Sequence, residues 1–164
     1  MKRRIKNMNW LGAAVLLAAG VGIGMVLGKK KEKVKTDKQS LLVKKNHAIL
    51  KLFSQWILTK QEGKSIVNYL HENNVKTVAI YGMSFVGERL FDELKDSDIE
   101  VKYAIDQNAN AIFKDVDMYT PDQKLPDVDM IIVTAIYFFD EIDDKLSEVT
   151  DCPVVSLENI LYEI

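Results

Sequence analysis

Cysteine is almost missing: Cys152 stands alone in 164 residues, which excludes a disulfide framework within the chain and leaves no CxxC metal site. Histidine is as scarce, with only His47 and His71, so a His-rich metal centre is excluded. With 3 prolines and 28% charged residues, neither a collagen-like repeat nor global disorder fits. Catalytic signatures are missing too. There is no GxxxxGK[ST] loop for nucleoside triphosphates and no GxSxG elbow. The Tyr-x-x-x-Lys pair of short-chain epimerases, whose lysine lowers the tyrosine pKa, also fails. Tyr69, Tyr81, Tyr103, Tyr119, Tyr137 and Tyr162 all lack a lysine four residues on. These absences point away from an enzyme.

What is present is a 48% hydrophobic chain, enough for one globular domain plus an appendage. The net charge of −2 hides a strong polarity. Residues 1–60 carry 14 Lys/Arg against 2 Asp/Glu, and residues 100–164 carry 4 against 15. An acidic carboxyl-terminal half argues against nucleic acid as a partner.

From Asn7 to Gly28 no residue is charged, and from Trp10 onward almost all are apolar or small. At about 1.5 Å per residue such a run covers roughly the 30 Å hydrocarbon core of a bilayer. Lys2, Arg3, Arg4 and Lys6 would also suit a cleaved secretory signal. Signal apolar regions, however, usually run to about 7–15 residues and end at a small-x-small site. Here the run is longer and stops at Lys29-Lys30-Lys31. The expectation is a single-pass cell-membrane anchor over residues 1–28, with the carboxyl-terminal domain cytoplasmic because that flank is the more basic. Gly20, Gly24 and Gly28 share one helical face and would admit a second backbone, giving a homodimer or a partner helix; chance spacing of membrane glycines is the alternative.

Residues 29–40 read as a basic juxtamembrane linker that could also meet anionic headgroups. Residues 41–75 read as a helical lead-in. Leu42, Ile49, Leu52, Phe53, Trp56 and Ile57 recur at helical spacing, Gly63 suits a stop, and Ser65 suits the cap of a second helix. That basic amphipathic helix either lies in the membrane interface or, as favoured here, packs against the domain that follows.

Residues 76–164 alternate between strand and helix. Strands are expected at Val78–Tyr81, Val101–Ile105, Val116–Tyr119, Asp129–Thr134 and Val154–Ser156. Nearly continuous apolar strands separated by helices imply an α/β fold whose parallel sheet of about five strands is covered on both faces, Rossmann-like, in the order 3-2-1-4-5. The turn Gly82-Met83-Ser84-Phe85-Val86-Gly87 aligns with GxGxxG, but Ser84 replaces the second glycine. Asp106 ends the second strand where an acid would accept ribose hydroxyls, and Thr134 borders the same crevice. Gly82, Ser84, Gly87, Asp106 and Thr134 are therefore the candidate binding residues. The competing reading makes Gly82 and Gly87 folding residues and leaves the crevice vestigial. Asp127/Asp129 and Asp140, Glu141, Asp143, Asp144 lack EF-hand spacing and read as a solvated acidic face. Cys152 reads as a small core residue.

The segments VAIYGMSFVGERLFDELKDSDIEVKYAID, LPDVDMIIVTAIYFFDEI and VVSLENIL resemble Rossmann-like domains of bacterial surface-polysaccharide clusters. These include the nucleotide-binding domains of nucleotide-sugar epimerase/dehydratases and the small domain of sugar acyltransferases. The resemblance covers about residues 40–164. It implies NAD or a nucleotide sugar as ligand, carried by Gly82, Ser84, Gly87 and Asp106, and polysaccharide-assembly proteins as partners. No substrate domain follows before Ile164, a departure from the full enzymes. The expectation is a non-catalytic sensor or scaffold. Its rivals are a pure interaction module and one subunit of a split NAD-dependent epimerase/dehydratase.

Overall fold

The computed structural model describes the backbone of residues 10–107 and 115–164, and side chains from residue 35 onward outside 108–114. The chain divides into two compact units, Met1–Lys45 and Asn46–Ile164. Helix α1 runs without a break from Trp10 to Gln61. Residues 29–40, expected as a linker, are thus helical. Lysine, glutamate and glutamine are good helix formers, and no proline or glycine interrupts the chain between Lys29 and Gln61. Among the described residues no helix is long and apolar enough to cross a membrane. The apolar run Asn7–Gly28, with Gly20, Gly24 and Gly28, lies outside the residues whose side chains are described.

The second unit is an α/β fold built on a five-stranded parallel sheet. After α1, Gly63 turns the chain at φ +74°, and α2 (Ile66–Glu72) starts at Ser65, whose hydroxyl accepts the Asn68 N–H. The strands are β1 (Thr77–Tyr81), β2 (Glu100–Ile105), β3 (Asp117–Tyr119), β4 (Met130–Val133) and β5 (Val154–Ser156). Between and after them lie α3 (Phe85–Leu94), a 3-10 turn at Ile136–Phe138, α4 (Phe139–Ser147) and α5 (Leu157–Glu163). The strand order is β3-β2-β1-β4-β5 and every neighbouring pair is parallel, the order expected from the alternation.

Alternation along β1 divides the core in two. Val78 and Ile80 face one layer, completed by Leu52 and Trp56 of α1, Ile66 and Leu70 of α2, Val86, Leu90 and Leu94 of α3, and Leu157, Ile160 and Leu161 of α5. Ala79 and Tyr81 face the other, completed by Tyr103, Ile105, Ile131, Val133 and, from α4, Ile142 and Leu146. The α1 stripe therefore packs on its own domain, although Ile57 and Leu42 of the expected stripe are exposed. Glu93, its side chain 9% exposed, ties three helices together. Its carboxylate accepts the Trp56 indole N–H at 2.8 Å, pairs with Lys60 at 2.6 Å, and accepts the Ile66 N–H at 3.4 Å at the start of α2.

Candidate functional site

In a parallel sheet all carboxyl ends lie at one edge, and the strand order reverses between β1 and β4. A cleft of about 380 Å³ opens there. Tyr81, Gly82, Ala135, Phe138 and Ile142 supply its largely apolar walls, and Asp106, Gln107, Glu141 and Lys145 the polar positions.

The β1–α3 turn owes its shape to two glycines. Gly82 has φ +96°, and a Cβ there would lie 2.9 Å from the Thr134 hydroxyl. A Cβ on Gly87 would run into the Gly82 carbonyl oxygen, so α3 approaches β1 only because Gly87 has no side chain. Ser84 occupies the cap position of α3, but its side chain makes no capping bond and it is exposed. The Asp106 carboxylate reaches back from the end of β2 and accepts the Met83 N–H at 3.1 Å. Thr134, 4% exposed, donates its hydroxyl to the carbonyls of Tyr81 and Gly82, at 3.1 and 2.5 Å.

No family model, no curated protein and no solved structure matches the chain. The geometry alone therefore speaks for the site.

Of the five residues expected to bind, Gly82 and Asp106 line the cleft. Ser84 and Gly87 lie along the turn and Thr134 is buried beneath it, none of them among the lining residues. Thr134 thus holds the turn from beneath, against the lining residue Gly82. Gln107, Phe138, Glu141 and Lys145, which were not among the expected residues, also line the cleft. A usable signal existed for one of them, since Lys145 is the sole basic residue from Leu125 to Ile164.

Burial, and secondarily the Asp106 charge, raise the Tyr81 phenol above its ordinary range, while a hydrogen bond with the Gln107 side chain pulls it down. At neutral pH Tyr81 is therefore a neutral phenol. Away from the cleft, Asp129 accepts the N–H groups of Lys76 and Thr77 and the Thr77 hydroxyl, which holds its carboxyl below the usual range. Part of the expected acidic face is thus a structural clamp on β1. Cys152 is half-buried against the α4-side core, its thiol donating to the Val128 carbonyl, and burial raises its pKa. Among the described residues no group of three His, Cys, Asp or Glu side chains is placed to hold a metal ion.

Proposed function

We propose that the protein is a membrane-anchored, non-catalytic sensor or scaffold that binds a nucleotide or nucleotide sugar, acting with cell-surface polysaccharide assembly proteins. The cleft at the carboxyl ends of β1, β2 and β4 carries this reading. It sits at the switch point of a Rossmann-like sheet, where open α/β folds receive ligands, and its volume falls at the lower end of the 300–1,000 Å³ typical of small-molecule sites. Largely apolar walls with a few polar positions suit a flat ring carrying hydroxyls. The anchor rests on the apolar run before Lys29, and the pathway on the resemblance to surface-polysaccharide proteins.

Thermal unfolding of residues 35–164 against nicotinamide cofactors, nucleotides and nucleotide sugars tests the reading. A ligand at 100 times its Kd stabilises by about 2.7 kcal/mol, several degrees for a domain of this size. Asp106→Asn keeps an acceptor for the Met83 N–H, so its unliganded unfolding temperature is expected to change little. Its affinity is expected to fall about tenfold through loss of a charged acceptor. No shift with any compound would reject the reading. It would favour an interaction module, for which Leu50 and Ile57, 68% and 58% exposed on α1, are the supporting observation.

A further inference from the structure

The turn and the cleft offer two different places for the anionic part of a ligand, and the charges distinguish them. At the turn, the carboxylate of Asp106 already occupies the Met83 N–H, so a negative charge stands where a phosphate would approach the start of α3. Ser84 adds a side chain to the same approach in place of the second glycine of GxGxxG. On the opposite wall, α4 presents Lys145, exposed, in its last turn. Glu141 stands one helical turn before it, the favourable order for an intrahelical pair, yet Lys145 makes no ion pair among the described residues. It is the cation among the described residues that line the cleft.

We infer that the ligand enters the cleft by its nucleoside end and that Lys145 pairs with the phosphate nearest the ribose, so that α4, and not the glycine turn, selects for a nucleoside monophosphate moiety. This rests on the nucleotide reading and deepens it. The volume of about 380 Å³ suits a base, a ribose and one phosphate better than a whole dinucleotide. Lys145 is the attractive point for an anion there, while Asp106 and Glu141 disfavour placing further phosphates in the cleft. Phe138 supplies the aromatic wall for the base.

The test is calorimetric titration of AMP and UMP against adenosine and uridine, on residues 35–164 of the wild type, Lys145→Gln and Ser84→Ala. The wild type is expected to prefer each monophosphate over its nucleoside. Lys145→Gln is expected to weaken monophosphate binding about tenfold, leave the nucleosides unchanged and so erase the preference. Ser84→Ala is expected to change neither. If Lys145→Gln keeps the preference, or Ser84→Ala removes it, the inference is overturned while the nucleotide reading stands. If the wild type binds none of the four nor any compound of the wider panel, both fall together. Lys145 is exposed, so an unchanged unfolding temperature separates lost affinity from lost fold.

Discussion

Gly87 shows how little freedom one position in the turn has. Its backbone conformation is one any residue adopts, so the constraint is space: a Cβ would overlap the Gly82 carbonyl oxygen, and backbone, unlike a flexible side chain, does not step aside cheaply. Gly87→Ala is therefore expected to cost about 1–3 kcal/mol, although alanine is the better helix former by roughly 1 kcal/mol. Chemical denaturation of residues 35–164 measures the balance. A variant as stable as the parent would mean that α3 can move away from β1, and the turn would lose its claim to be tightly built. Thr134 works from beneath. Its single hydroxyl hydrogen is shared between the carbonyl oxygens of Tyr81 and Gly82, so the residue supports the turn.

Among the elements, α1 meets the sheet domain through an apolar stripe and two polar ties, Gln55 to the Leu161 carbonyl and Trp56 with Lys60 to Glu93. Leu52 and Trp56 give apolar contact, and Glu93 holds the Trp56 indole, Lys60 and the first N–H of α2. Lys60 is half-exposed, so its pairing contributes little once solvent screening is counted. The indole bond is the more buried contact. Glu93→Ala is expected to destabilise by about 1–3 kcal/mol, because it strands the Trp56 N–H. In a double-mutant cycle Trp56→Phe should make that loss smaller. The check is whether the two losses, measured by denaturant unfolding, add; full additivity would mean the indole and the carboxylate do not communicate.

The strands were legible in the sequence to within one or two residues, because a parallel strand buried on both faces must be apolar throughout, as Met130–Val133 is. The caps at Ser65 and the stop at Gly63 were legible for the same local reason. Two features were not. The helical state of residues 29–40 follows from propensity without any apolar stripe to mark it, and the side chains lining the cleft from α4 depend on how that helix docks. Asp106 and Thr134 were legible as positions but not as roles, since a polar atom at a strand end serves a ligand or its own turn equally well on paper.

For the whole molecule, stability belongs to the second unit. Every buried residue among those described lies from Leu52 onward, and both core clusters are complete within Asn46–Ile164. Upstream, Leu41, Leu42 and Val43 are 39%, 57% and 67% exposed, so deleting them removes little burial. Cutting α1 before Asn46 creates four free N–H groups at an exposed helix end, where water satisfies them and Asn46 itself is a favourable cap. Residues 46–164 are therefore expected to unfold within about 2 °C of residues 35–164, since all the residues removed except the half-buried Lys45 are exposed and changes at exposed positions usually stay within roughly 0.5 kcal/mol. Calorimetry of the two fragments decides it. A drop of more than about 5 °C would show that helix propagation through residues 35–45 stabilises the domain, making the length of α1, and not its buried stripe, the source of its hold on the sheet.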